Sequence, residues 1–104
     1  MNVSLLYMTM PHAAEAKKIG TVLLEQRLVA CVNIINEVHS MFWWNDTISN
    51  DTEVICIAKT KTRLVQDVIA KVKSLHSYAC PCIVSMPITD GNPEFLSWIE
   101  RETC

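Results

Sequence analysis

Two apolar runs rich in β-branched residues, Leu28 to Ile35 and Val54 to Ala58, flank a segment made almost entirely of turn-forming side chains, Asn45 to Thr52. This pattern predicts one long antiparallel hairpin. No residue breaks the first arm between Val29 and Trp44, which is far longer than the usual strand of ~5–6 residues. We therefore expect the hairpin to project beyond the rest of its own sheet.

The predicted tip of this arm is aromatic, because Met41, Phe42, Trp43 and Trp44 follow one another. Successive side chains of a strand point to opposite faces, so these four cannot all face the core of a chain this short. The pattern favours contact with another subunit. The alternative is a bent strand that folds its aromatic side chains back onto its own domain.

Length and composition narrow the class of protein. The 104 residues suit a single domain spanning 1–104, and the net charge of −2 with scattered basic residues gives no reason to expect nucleic acid. Apolar runs are shorter than the ~18 residues of a membrane span, and the N-terminus lacks the basic region of a secretory signal. The five cysteines are an odd number, so we expect free thiols and a cytoplasmic protein with no membrane partner.

Outside the hairpin, the periodicity predicts two strands and three helices. They are a strand at Val3 to Thr9, a helix from Pro11 to Gln26, a helix capped by Thr62 and ending near His76-Ser77, a strand at Cys82 to Ile88, and a helix over Glu94 to Glu102 with Asn92 as its N-cap. The order is βαββαβ with a terminal helix. It is typical of an α+β, ferredoxin-like split-βαβ fold with a four-stranded sheet in the order 4-1-3-2.

Both main helices of that fold lie on one face of the sheet, which leaves the other face without them. The first three strands nevertheless carry apolar residues on both faces. The uncovered face therefore predicts self-association, because apolar surface of this extent is normally buried.

Five segments together resemble the CutA divalent-cation-tolerance family in their order and spacing. They are Arg27 to Ile34, Ser40 to Trp44, Glu53 to Thr60, His76 to Pro81 and Phe95 to Ile99. The resemblance implies a homotrimer of PII-like architecture whose hairpins reach across to neighbouring subunits. It also implies a link to tolerance of copper and other divalent cations, to metal binding and, in animals, to a partner protein. It implies no settled catalytic reaction, so we do not expect an enzyme.

The chain departs from the family pattern at two places. The usual HPYE-hydrophobe-PE appears here as His76 to Cys82, with Ala79 and Cys82 at the two acidic positions, which argues against a carboxylate cation site. The usual Trp-x-Gly of the hairpin appears as Trp44-Asn45-Asp46, so Asp46 is strained if its φ is positive.

Lys59 ends an apolar strand, where its ammonium group would bind a small anionic ligand in a cleft between subunits. The residues expected around such a cofactor-binding cleft are Cys31, Asn33, Tyr78 and Trp98. The alternative is a lysine paired with Glu53 or Glu37. Glycines occur only at 20 and 91, so the sequence has no phosphate-binding loop.

Met8 and Cys82 lie at the adjoining ends of two antiparallel strands, with His76 just upstream. If Met8 and Cys82 share a face of the sheet, which parity alone does not fix, the three residues form a metal site. Thioether and thiol are soft ligands, which favour Cu(I) over Mg²⁺ or Mn²⁺. The alternative is ordinary core packing of Met8 and Cys82. The sequence thus predicts a homotrimeric cation tolerance protein that binds metal, with copper the expected ion. The alternative is a PII-like sensor or scaffold that binds a small anion or a partner protein between its subunits.

Overall fold

The computed structural model describes residues 2–104. Within them the chain forms four strands and three α-helices in the predicted order. Their bounds are β1 (Val3–Met10), α1 (Ala13–Glu25), β2 (Cys31–Trp44), β3 (Thr47–Lys61), α2 (Val65–Leu75), β4 (Ile83–Pro87) and α3 (Pro93–Glu102). The sheet order is β2-β3-β1-β4 and every neighbouring pair is antiparallel, so the predicted topology is confirmed.

The main core lies between one face of the sheet and helices α1 and α2. Alternate residues of β1 and β3 face it, because side chains of a strand alternate between the two faces. Burying each large apolar side chain contributes about 1.5–3 kcal/mol. The fully buried members are Leu6, Met8, Met10, Ala16, Ile19, Leu23, Cys56, Ala58, Val68 and Val72.

Side chains cap the first and last helices. His12 is the N-cap of α1, and its Nδ1 accepts a hydrogen bond from the Glu15 amide at 3.2 Å. Asn92 caps α3 in the predicted way, since its Oδ1 accepts from the Glu94 amide at 3.1 Å and Pro93 is the first helical residue. Each cap satisfies a backbone amide that has no partner inside the helix.

The start of α2 differs from the prediction. A 3₁₀ turn over Thr62–Leu64 precedes the helix, and α2 begins at Val65 without a side-chain cap. The Thr62 hydroxyl lies 2.8 Å from the Ser4 hydroxyl instead, so it links the turn to β1. The prediction of a Thr62 cap is wrong because the Thr62 hydroxyl is hydrogen-bonded to the Ser4 hydroxyl in β1.

The turn of the long hairpin contains only Asn45 and Asp46, with φ of 50° and 62°. Positive φ at both positions is the type I′ geometry that matches the twist of paired strands. The predicted polar turn up to Thr52 is therefore wrong, because residues 47–52 pair in β3. Polar side chains suit this part of the strand, where residues 47–52 are mostly exposed.

A β-bulge interrupts β2, which the sequence did not indicate. The register shifts between Ile35 and Val38, and Glu37 has a φ of 58°. Such an extra residue bends the strand and increases its twist. Beyond the bulge the hairpin runs on as an arm, defined here as residues 38–52, and the molecule measures 44 × 26 × 22 Å.

The tip of the arm is exposed within one subunit. Met41 and Trp43 keep 73% and 72% of their surface accessible, and Trp44 keeps 52%. These side chains therefore do not fold back onto their own domain.

Candidate functional site

The second face of the sheet is apolar and lacks the cover of α1 and α2. Residues paired across neighbouring strands share a face, and the registers define two rows of four across it. The rows are Val84, Tyr7, Ile57 and Asn33, and beside them Met86, Leu5, Lys59 and Cys31. We call these eight residues the uncovered face.

Within residues 2–104, one end of the second face is protected by α3. There α3 contacts β1 and β3 and buries Ile99, and the Lys61 ammonium donates to the Thr103 carbonyl at 3.0 Å. Farther along, Val84 and Met86 remain 52% and 51% exposed. The uncovered face is thus a broad apolar surface that ends in a polar corner at Lys59 and Asn33.

At that corner, the ammonium group of Lys59 donates to Asn33 Oδ1 at 2.8 Å and lies 3.7 Å from Cys31 Sγ. The predicted grouping of Cys31, Asn33 and Lys59 is present. The alternative pairing of Lys59 with Glu53 or Glu37 is not what the structure has, because the partners are an amide and a thiol. None of the ion pairs within residues 2–104 involves Lys59, so its positive charge is not neutralised there.

Tyr78 lies elsewhere, at the base of the arm. Its hydroxyl donates to Glu53 Oε2 at 2.9 Å, and Glu53 is only 8% exposed. Burial, and then the hydrogen bond and charge of Glu53, raise the pKa of Tyr78 above its ordinary value. Glu53 is six residues from Lys59 along β3, roughly 20 Å. One subunit therefore does not bring Tyr78 next to Lys59.

Trp98, the last predicted member of the cleft, lies on α3. Its ring stacks against Phe95 with centroids 5.4 Å apart and an interplanar angle of 30°. It is partly buried within the subunit.

The imidazole of His76 is occupied on both nitrogens. Nε2 lies 2.9 Å from the Thr9 carbonyl, and Nδ1 accepts from the Tyr78 amide at 3.0 Å. Glu15 Oε2 is 3.4 Å from Nδ1, and the side chain of His76 is fully buried. This histidine ties the loop after α2 to β1 and α1, and it has no free lone pair to offer a metal ion.

Met8 and Cys82 do not face each other. Met8 pairs with Ile83, and its side chain is fully buried in the main core. Cys82 precedes β4 and is exposed, while its carbonyl accepts from the Thr9 amide at 3.4 Å. The expectation that Met8 and Cys82 share a face is therefore wrong, because an offset of one residue reverses the face in a strand.

No group of three or more His, Cys, Asp and Glu side chains within residues 2–104 could hold a metal ion. Structural zinc sites usually have four protein ligands and catalytic ones three. The residues of a single subunit thus do not fit a resident metal ion of that kind. Within the same residues, no helix is long and apolar enough to cross a membrane.

An open groove of about 380 Å³ lies where the arm leaves the sheet, and sequence reasoning missed it. The bulge creates one of its walls, and no sequence signal marks that bulge because positive φ at a glutamate is unusual. It is lined by Pro11, His12, Ala13, Asn36, Glu37, Thr52, Glu53 and Val54.

The antiparallel sheet in this strand order, with α1 and α2 on one face, defines a ferredoxin-like α+β protein. The model of the CutA1 divalent ion tolerance protein family matches residues 4–102. The chain belongs to that family. The match covers nearly the whole of this chain.

Several relatives are similar over most of this chain. The divalent-cation tolerance protein CutA of Archaeoglobus fulgidus is 44% identical over 96 residues, which are 92% of this chain and 93% of that protein. A solved structure from the same organism, called a periplasmic divalent cation tolerance protein CutA, has a TM-score of 0.93 at 42% identity and covers 96% of this chain and 97% of its own.

The CutA1 structure from Ehrlichia chaffeensis has a TM-score of 0.93 at 39% identity and covers 99% of this chain and 96% of its own. The Protein CutA homolog of Danio rerio is 38% identical over 92% of this chain, which spans 64% of that longer protein. These likenesses confirm the family and the fold expected from the sequence.

Proposed function

We propose that this protein acts in tolerance to divalent cations as a homotrimer, with copper as the metal it binds. The observation that carries the assembly is the uncovered face, which leaves apolar residues at its centre without cover from α1 and α2. Trimerisation around that face buries it, and the arm of each subunit then packs against a neighbour as in PII-like proteins. Burial of the aromatic tip supplies the hydrophobic free energy for this contact.

The metal is proposed on the chemistry of the accessible ligands. Cys80 and Cys82 are exposed on the same loop, and soft thiolates select Cu(I) over cations that prefer oxygen. Cys82 is one of the metal ligands predicted from the sequence, and Cys80 lies two residues before it on the same loop. Met8 and His76 remain predicted ligands only if the loop and the core rearrange around the ion.

A second function is favoured by one observation at the polar corner. The Lys59 ammonium lies near Asn33 and Cys31 without a carboxylate partner within residues 2–104. In a trimer, Tyr78 and Trp98 of a neighbouring subunit would complete the cleft around this charge. Such a cleft suits a small anionic ligand or a partner protein, and neither proposal includes a catalytic step.

The five thiols are free in the structure, which supports a reducing compartment such as the cytoplasm. Cys80, Cys82 and Asn33 are exposed and Lys59 is partly buried, and no buried nucleophile is required.

Native mass spectrometry of protein purified without chelator tests the assembly, the metal and any retained anion together. We expect three subunits and copper. A monomer at micromolar concentration would contradict the trimer, and retention of a small anion without metal would favour the Lys59 cleft.

Anaerobic titration of Cu(I) against a chromophoric competitor tests the ligands. We expect the Cys82→Ser variant to bind at least tenfold more weakly than wild type, which is about 1.4 kcal/mol. The Met8→Leu variant keeps the volume of the buried side chain and is the matched comparison. Weaker binding in both variants would include Met8 in the site, and equal binding in all three proteins would remove the copper proposal.

A further inference from the structure

The loop between α2 and β4 presents two thiols, Cys80 and Cys82, on either side of Pro81. Residues two apart are separated by roughly 7 Å at full extension. A disulfide needs a Cα separation of about 4.4–6.8 Å. Proline fixes φ of residue 81 at about −65°, which holds the Cα atoms of residues 80 and 82 closer together than at full extension and towards the range that a disulfide needs.

Hydrogen bonds fix this loop on both sides of the thiols. Before them, the Tyr78 amide donates to His76 Nδ1 at 3.0 Å and the Tyr78 hydroxyl donates to Glu53 at 2.9 Å. After them, the Cys82 carbonyl accepts from the Thr9 amide at 3.4 Å. A loop held at both ends has little conformational entropy to lose when its two thiols join.

The other cysteines lie in different surroundings. Cys56 is fully buried, and burial raises its pKa to about 11, which keeps it a thiol. Cys31 is part of the uncovered face and lies 3.7 Å from the Lys59 ammonium. Cys104 is exposed at the end of the chain, near the Gln26 carbonyl. Within residues 2–104, the loop is therefore the place where two exposed thiols are separated by a single residue.

We propose that Cys80 and Cys82 form a reversible dithiol–disulfide centre that exchanges with low-molecular-weight disulfides. One loop thiolate attacks a sulfur of the small disulfide, forms a mixed disulfide and releases one small thiol. The second loop thiolate then attacks the protein sulfur of the mixed disulfide and releases the second small thiol. Two protein thiols lose two electrons and two protons, and the small disulfide becomes two thiols.

The state of this centre is set by the ratio of small thiol to small disulfide. An exposed disulfide closed over a single intervening residue is easier to reduce than a buried structural one. The loop therefore responds to the thiol balance around it instead of staying oxidised. This inference does not depend on the trimer or on bound copper.

Equilibration with mixtures of reduced and oxidised glutathione tests it, with a chelator present so that trace metal cannot catalyse oxidation. Samples are quenched in acid, denatured and alkylated, and their masses are measured by mass spectrometry. As oxidised glutathione increases, we expect wild type to change from five alkylated cysteines to three, with the loss of two hydrogen atoms mapped to the peptide that contains residues 80 and 82. Reduced glutathione should restore the first state.

The variants decide which thiols are involved. We expect Cys104→Ser to keep the disulfide, and Cys80→Ser and Cys82→Ser to lose it and to carry one glutathione on the remaining loop thiol. All three replacements are at exposed positions, and circular dichroism checks that each variant is folded. The proposal is overturned if Cys80 and Cys82 of wild type both stay alkylatable while Cys104 becomes glutathionylated, or if the disulfide persists in Cys82→Ser.

Discussion

The two faces of the sheet carry similar apolar side chains, but the chain itself completes only one of them. On the first face, Leu6, Met8 and Cys56 pack under α1 and α2 and are fully buried. On the second face, their neighbours in the same strands, such as Tyr7 and Ile57, remain partly accessible. The difference shows that alternation in a strand determines which residues share a face, while the helices determine which face is buried.

The electrostatics of the two faces differ as well. The helix-covered face keeps a cysteine as a neutral thiol, whereas the uncovered face keeps a lysine with amide and thiol neighbours at its corner. A surface that closes against another subunit can admit a charge at its margin, where water or a ligand solvates it. The closed core cannot.

The largest effect is expected from a charged residue introduced into the uncovered face. Ile57→Asp places a carboxylate between Tyr7 and Asn33 in the first row. If subunits bury this row, the change costs on the order of several kcal/mol and dissociates the assembly. Sedimentation velocity measures it.

Leu24→Asp is the matched control, since Leu24 is an apolar residue of α1 that is already 41% exposed. It should leave the assembly intact. Wild-type sedimentation of Ile57→Asp would mean that the uncovered face meets no other subunit.

The next effect concerns the covered face. Met8→Ala leaves a cavity beneath the helices and should lower the free energy of unfolding by about 3 kcal/mol. Met8→Leu keeps the volume and should cost less than about 1.5 kcal/mol. Urea denaturation gives both values. Equal stability of the alanine variant and wild type would show that this face can rearrange to fill the space.

Because the pKa of Cys56 is raised, we expect the free energy of unfolding to fall by about 2 kcal/mol at high pH. Its pKa is about 11 in the folded protein against 9.0 for an ordinary thiol. The unfolded chain loses the proton first, so this contribution is fully present below pH 9 and is lost as the pH rises to 11.

Urea denaturation at several pH values measures the loss. In Cys56→Ala, the loss of stability that begins near pH 9 should be absent. The raised pKa of Tyr78 lowers stability from about pH 10 upward in both proteins, so the difference between their pH profiles isolates the contribution of Cys56. Identical pH profiles would show that Cys56 ionises in the folded state as easily as in the unfolded one.

The smallest expected change in the free energy of unfolding is at the turn of the arm, which is part of neither face. Asp46 has a φ of 62°, so Asp46→Gly should raise the free energy of unfolding by about 0.5 kcal/mol. Asn50→Gly, at an ordinary strand position of the same arm, should lower it by about 0.5–1 kcal/mol. Thermal unfolding compares the two, and a stabilised Asn50→Gly would contradict this account of the turn.

Sequence patterns were enough for the strand order, the helices and the projecting arm. Alternation and helical periodicity are local properties, and Asn92 with Pro93 marks the start of α3 directly. The predicted turn was too long because exposed paired strands accept the same polar residues as loops. The Thr62 cap failed because its hydroxyl meets Ser4, a residue 58 positions away.

The candidate sites were predicted less completely. Cys31, Asn33 and Lys59 come together because they are cross-strand neighbours, which the hairpin pattern implies. Tyr78 pairs with Glu53, and no local pattern indicates that loop contact. The groove at the base of the arm depends on the bulge at Glu37, which its residue type does not suggest.

The sequence by itself determined the α+β topology and the apolar character of both sheet faces, because periodicity along the chain encodes which side chains share a surface. Only the tertiary structure decided the register of β1 against β4, which places Ile83 and not Cys82 opposite Met8. It also decided that His76 ties the loop to β1 and that Cys80 and Cys82 face the solvent. Register and loop contacts depend on atoms far apart in sequence, so they are fixed by packing and not by any local pattern.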